Sequence, residues 1–325
     1  MKYILRHLGL YLLAIWVSLT LNFLLPRTMP GDPVSALIGR VHGKFSPAQI
    51  EALKRAYGFT NAPLIQQYFE YLSHAFTGDF GLSISAYPAR VSTIISTALL
   101  WTVLLGIVTL LLGFVLGSLL GVIVAWRRGG FLDSVLPSLF NFIGSFPYFF
   151  LAMLALFFLA FTLKWFPMSH AYSDLLSPGW TWEFAGSVAT HLVLPAGSVI
   201  LVSVGGWLIA MRSTMVAVLA EDYIIMAEAK GLSQWQIMMR YAMRNAMLPN
   251  FTQFGMSIGF ILGGQILTEI VFSYPGLGFY LVRAVTAHDY PLMQALFLMI
   301  TLAILIANLA VDLLYVRLDP RVRVS

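Results

Sequence analysis

At 325 residues, 59% of them hydrophobic and 10% charged, with a mean hydropathy of +0.83, the chain carries too little polar surface to cover a water-soluble globule. Cysteine is absent, which excludes disulfides, thiol chemistry and Cys-ligated metals, and a net charge of +5 is small for nucleic-acid binding. The composition is that of an integral membrane protein.

Six charge-free runs are long enough to cross a hydrocarbon core of about 30 Å, which takes roughly 20 helical residues. They cover residues 7–26, 91–126, 134–163, 184–211, 245–268 and 290–311, and they predict an all-α fold of six transmembrane helices. The first run follows Lys2 and Arg6. It is too long for the core of a secretory signal and lacks an A-x-A cleavage site, so residues 1–28 are read as an uncleaved anchor helix. Six spans place both termini on one side, together with Lys2, Arg6, Arg127, Arg128, Arg212, Lys230, Arg240, Arg244, Arg317, Arg321 and Arg323. The short opposite loops carry only Lys164 and Arg283, and by the positive-inside rule the termini are cytoplasmic.

Residues 29–90 then form an external segment too long for a plain loop. In SPAQIEALKRAYG, Ser46 is a candidate N-cap, Pro47 suits the first helical position, Gln49 completes a capping box and Gly58 closes the helix. A second surface helix is predicted from Pro63 to Gly78. Residues 91–325 make a five-helix core whose only sizeable cytoplasmic loop is 212–244.

Helix propensity in that loop is high from Met215 to Ala229, Gly231 interrupts it, and Ser233 is placed to cap a restart that carries Arg240 and Arg244. Two readings stand side by side. The loop is a solvated linker whose basic residues fix topology, or it is a docking element whose small residues Ala227, Ala229 and Gly231 lie at an exposed bend and enter a groove on a soluble partner.

The stretch AEAKGLSQWQIMMRYAMRNAMLPN, residues 227–250, resembles the coupling-helix motif of binding-protein-dependent ABC importer permeases of the dipeptide, oligopeptide and nickel group. MPGDP at 29–33, GDFGLS at 78–83, AWRRGGFLD at 125–133, SFPYF at 145–149, EIVFSYPGLG at 269–278, DYPLMQA at 289–295 and VDLLYVRLDPRVR at 311–323 resemble that family's B-type subunit in the same order, over essentially the whole chain. The pattern departs from the broader importer motif where Ile225, Met226 and Ala227 stand in place of Glu-Ala-Ala, while Gly231 keeps its position.

The resemblance implies a type I ABC importer transmembrane domain in the plasma membrane of a prokaryote. It also implies a second homologous permease subunit in a heterodimer, two cytosolic ATPases and an external solute-binding protein. Glu221, Asp222, Ala227, Glu228, Ala229, Lys230, Gly231, Leu232 and Ser233 would form the ATPase-coupling segment. No G-x-x-x-x-G-K-[ST] occurs, so ATP and Mg would be used by the partner subunits; this chain is read as a transport subunit that is not an enzyme and binds no cofactor.

Elsewhere, Glu269 is an acidic residue at the end of the fifth span, read either as lining the path or as a structural or interfacial acid. Trp207 is a candidate path-lining aromatic. His191 stands without a second ligand at metal spacing. Pro137, Pro147 and Pro195 are read as ordinary kinks inside spans, and the small-xxx-small spacings of GFVLGSLLG at 113–121 and GFILGG at 259–264 as close helix contacts. Trp165, Tyr172, Trp180 and Trp182 form an interfacial belt or contact cargo.

Mid-span regions carry no Asp, Glu, Lys or Arg, which counts against a secondary carrier, the alternative class, and no catalytic constellation is present for an intramembrane enzyme. The expected cargo is an oligopeptide or dipeptide. Oligosaccharides, such as beta-linked gluco-oligosaccharides, and nickel remain alternatives.

Overall fold

A computed structural model describes residues 2–28, 62–258, 261 and 265–318. The helix expected at 46–58, the MPGDP stretch and most of GFILGG lie outside these residues. Among the described residues the chain is helical, and its only extended pairing is an isolated antiparallel bridge between Leu82 and Arg90. The helices are α1 (Lys2–Thr28), α2 (Leu64–Thr77), α3 (Val91–Trp126), α4 (Phe131–Gly144), α5 (Tyr148–Ala155), α6 (Trp182–Val218), α7 (Asp222–Ala229), α8 (Met243–Ile258), α9 (Ile266–Val271), α10 (Leu277–Thr286) and α11 (Tyr290–Leu318). A π-helical segment, Leu156–Thr162, extends α5, and the turn Gln234–Gln236 leads through a second, Ile237–Ala242, into α8.

Among the described residues, α3, α6 and the Tyr290–Leu309 part of α11 are each long and apolar enough to cross a membrane, and the pair α4 with α5 qualifies if it counts as one span. One expected span takes a different form. Residues 134–163 are two helices meeting at 91°, because Pro147 offers no N–H and caps a new helix from an extended backbone instead of continuing the old one. Of residues 245–268, those described hold most of α8 (Met243–Ile258) and the start of α9 (Ile266–Val271). Helix α1 carries the apolar stretch Gly9–Leu25.

The chain folds as two compact units: residues 1–102, 262–266 and 275–325, and residues 103–261 and 267–274. In the first, α1 packs on α11, and α2 closes over α1 through Leu19, Phe23, Tyr71 and Leu298. Helix α2 begins after Pro63 and stops at Gly78, whose φ of +71° is the left-handed C-cap that glycine adopts without strain. Burial pushes the Tyr71 phenol up to about 12. A larger core joins Val91, Ile95 and Ala98 of α3 to Leu277 and Leu281 of α10 and to Leu292 and Leu296 of α11. At its edge the buried Asp289 carboxylate accepts hydrogen bonds from the Ser83 hydroxyl and from the Ser85 hydroxyl and amide, and caps α11 at the Leu292 N–H.

In the second unit α6 is the axis against which α3, α4, α5 and α8 lie. The glycines of GFVLGSLLG mark the α3–α6 crossing. A Cβ on Gly117 would fall 2.4 Å from the Trp207 Cβ, and one on Gly121 2.6 Å from the Leu208 carbonyl. Only hydrogen fits there, as the small-xxx-small spacing predicts.

Candidate coupling site

The loop 212–244 forms a continuous bend of helix, turn and helix. Helix α6 ends at Val218, three residues turn, and α7 starts from an extended Glu221; Met215–Ala229 is therefore two helices and not one. Neither glycine nor proline marks this break. It lets α7 bury Ile224 and Ala227, which a straight extension of α6 would direct elsewhere.

At the end of α7 the Leu232 N–H bonds the Ala227 carbonyl at 3.3 Å and the Gly231 N–H bonds the Glu228 carbonyl at 2.9 Å. With Gly231 at φ +74° this pair is a Schellman motif, and the partly buried Leu232 supplies its apolar contact. Ser233 then opens the next helix. Its hydroxyl accepts from the Gln236 N–H, and the Gln236 side chain accepts from the Ser233 N–H, each at 3.3 Å. The sequence K-G-L-S-Q-W-Q thus terminates one helix and caps another with no residue between the two devices.

Beneath the bend, Ile224, Ala227, Ile237, Met238, Ala242 and Ala246 share one buried cluster with Met211 and Met215 of α6 and Val122 and Ala125 of α3. The Asn245 carboxamide donates to the Tyr223 hydroxyl at 3.0 Å, fastening α8 to α7. Helix α7 is thereby close-packed against the ends of α3, α6 and α8.

Above the bend, Glu221, Asp222, Glu228, Ala229, Lys230, Gly231 and Ser233 are exposed, and so are Ile225 (59%), Met226 (64%) and Trp235 (66%). Ala227, expected at the exposed bend, is buried at 3% because its position on α7 faces Met211 and Met215. Leu232 is half-buried. Ile225, Met226 and Trp235, not singled out as docking residues in the sequence, are the apolar part of this surface.

Residues 117–324 match the family described as binding-protein-dependent transport system inner membrane component, which is about two thirds of the chain. The chain belongs to this family. It is 37% identical over 325 residues to the dipeptide transport system permease protein DppB of Lactococcus lactis subsp. cremoris (strain MG1363), with 99% of each chain covered. It is 34% identical over 328 residues to a putative peptide permease protein of Brucella suis biovar 1 (strain 1330), with 100% of each covered. It is also 34% identical over 324 residues to the glutathione transport system permease protein GsiC of Salmonella choleraesuis (strain SC-B67), with 99% of each covered.

In this inner membrane component the two candidate path residues are buried, while Trp165, Trp180 and Trp182 are exposed. Trp207 is 7% exposed and packs edge-on against Phe114 at 5.3 Å, and Phe114 also meets Phe254 at 4.7 Å. Its ring is part of the packing of this unit. Glu269 is 1% exposed, so it is not a snorkelling interfacial acid. Its carbonyl accepts from the Tyr274 N–H at 2.8 Å, and burial, reinforced by the Glu269 charge, holds the Tyr274 phenol above the usual tyrosine range. His191 Nδ1 contacts the Ser187 carbonyl of its own helix at 2.7 Å, and among the described residues no group of three His, Cys, Asp or Glu is placed to hold a metal.

Proposed function

We propose that this chain is the membrane subunit of an ATP-driven, binding-protein-dependent importer of short peptides, and that the bend 221–236 is where a cytosolic ATPase docks. The observation that carries the docking reading is the two-sided bend. One side is bolted into the ends of α3, α6 and α8, and the other presents Ile225, Met226 and Trp235 among charged residues. Exposed apolar side chains rimmed by charge are what a transient partner interface requires.

Six spans with cytoplasmic termini, a second permease subunit in a heterodimer, two ATPases and an external binding protein complete the assembly in this reading. The lipid bilayer of a prokaryotic plasma membrane surrounds it. ATP and Mg act in the ATPases, and this chain contributes no catalytic residue. Closure of the ATPase pair pulls on α7, and α3, α6 and α8 tilt as one packed body to open the path outward; hydrolysis lets them return. The bias comes from the different contacts that the ATPase pair makes in its two states.

The cargo reading rests on relatives named for dipeptide, peptide and glutathione transport, which share one ligand chemistry, the short peptide. Reconstitution of the complete transporter with its binding protein tests it. Uptake of radiolabelled dipeptides or tripeptides that requires ATP supports the assignment, and ATP-dependent uptake of gluco-oligosaccharides with none of peptides overturns it.

A further inference from the structure

The corner between α4 and α5 lies at the mid-height of α6. Three contacts fix the register: Arg212 pairs with Asp133, Gly205 lies against the Phe140 carbonyl, and Gly144 faces the Val202 carbonyl at 3.7 Å for an added Cβ. Helix α4 therefore runs antiparallel to α6 and stops near Val202, close to the centre of the span Trp182–Val218. Its 14 residues rise about 21 Å at 1.5 Å each, which ends it inside a hydrocarbon core of about 30 Å.

The corner exposes polar groups beside apolar rings, with Phe142 at 63% and Phe150 at 41%. Asn141, Gly144, Ser145 and Pro147 are exposed, and the Asn141 carboxamide has no hydrogen-bond partner among the described residues. The Ser145 hydroxyl turns back to the Asn141 carbonyl at 2.9 Å. The chain bends 91° here, and Pro147 cannot donate to a carbonyl of the preceding turn. Lipid does not tolerate irregular backbone or an unpaired carboxamide at this depth; such groups face protein or a water-filled cavity. Phe142, Phe146 and Phe150 line the same corner, with ring centroids 5.2 Å apart for the first pair and 6.1 Å, stacked, for the second.

We propose that the corner 141–147 faces the water-filled translocation path and is a contact site for the transported peptide, an assignment that rests on the peptide reading given above. The Asn141 carboxamide, donor and acceptor at once, matches peptide amide groups, and the Phe142 and Phe150 faces take apolar side chains.

The cysteine-free chain makes the test direct. Asn141→Cys, Ser145→Cys and, as a control on the exposed apolar face of α3, Leu116→Cys are introduced singly into the complete transporter in proteoliposomes. They are then treated with a cationic methanethiosulfonate reagent, with and without binding protein and transported peptide. The expected result is modification at 141 and 145 at least tenfold faster than at 116, slowed severalfold by peptide. Equal rates at all three positions would overturn the placement in the path, and fast modification that peptide leaves unchanged would overturn the contact site. If the cargo is not a peptide, ATP-dependent peptide uptake is absent while the 141 and 145 reactivity persists, which separates that failure from this one.

Discussion

The buried carboxylate of Asp289 accepts two hydrogen bonds from Ser85, one from its amide and one from its hydroxyl, each 2.8 Å long and each spanning 204 residues of sequence. With Ser83 and the Leu292 N–H, four donors surround one acidic group at the start of α11. The segment after α2 is thereby tied to the last helix.

Removing that acceptor takes the carboxylate from the Ser85 and Leu292 amides and from the Ser83 and Ser85 hydroxyls, which are left facing each other at 3.4 Å. Hydrogen bonds to a charged group are each worth about 1.5–3 kcal/mol, and orphaned buried donors cost about as much. Asp289→Ala is expected to lower the thermal midpoint of the detergent-solubilised protein by several degrees, and Ser85→Ala by less, read by loss of the monodisperse peak after heating. A midpoint unchanged in Asp289→Ala would show that the network carries no stability.

Arg212 and Asp133 pair across α6 and α4, and Asp133 also accepts from the Gly129 N–H at 2.9 Å. The Asp133 side chain is only 10% exposed, so the loss of Arg212 strands a shielded carboxylate. Arg212→Ala is expected to reduce stability by about 1–3 kcal/mol, with Arg212→Lys recovering part of it because lysine keeps the charge but not the planar fork. Thermal midpoints of the two variants, compared with wild type, check the order.

At the α3–α6 crossing, Gly117→Val places a side chain where a Cβ alone would be 2.4 Å from the Trp207 Cβ. Overpacking of about 1–3 kcal/mol or more follows, and the folded yield in membranes is expected to drop. Gly206, on α6 with nothing within 4 Å of an added Cβ, is the contrasting position. Gly206→Ala is expected to keep or raise stability by up to about 1 kcal/mol, since alanine is the better helix former. Equal yields for Gly117→Val and Gly206→Ala would remove the packing explanation.

Gly231 holds φ at +74°, a value proline's ring forbids and alanine adopts at a cost of about 1–2 kcal/mol. Gly231→Pro breaks the Schellman turn outside every span, so insertion is expected to match wild type while ATP-dependent uptake falls more than tenfold. Gly231→Ala is expected to give an intermediate rate. The comparison is uptake against basal ATPase activity in the same proteoliposomes, and wild-type uptake in Gly231→Pro would mean that the bend is not coupled.

What could be read from sequence was local. Pro63 and Gly78 bound α2, Gly231 and Ser233 mark the bend, and the apolar run at 91–126 is α3 residue for residue, because caps, turns and charge-free length are encoded where they act. Three features were not legible. Pro147 signals a lost donor, but a kink and a 91° corner present the same residue, and packing on α6 decides between them. Ala227 suits either face of a helix, so its burial depends on Met211 and Met215 of another element. Ser85 and Asp289 are too far apart for any periodicity to join them, although each lies in or beside a motif that resembles the family's pattern.

The most direct measurement is site-specific cross-linking from the exposed side of the bend. Met226→Cys and Trp235→Cys, each the only cysteine in the chain, are treated with a short photoactivatable thiol reagent in the intact transporter, beside Leu175→Cys, which is 95% exposed in the segment between α5 and α6. Adducts to the ATPase from positions 226 and 235 and none from 175 are the predicted result. ATPase adducts from 175 alone, or from none of the three, would contradict the assignment of the bend 221–236 as the coupling site.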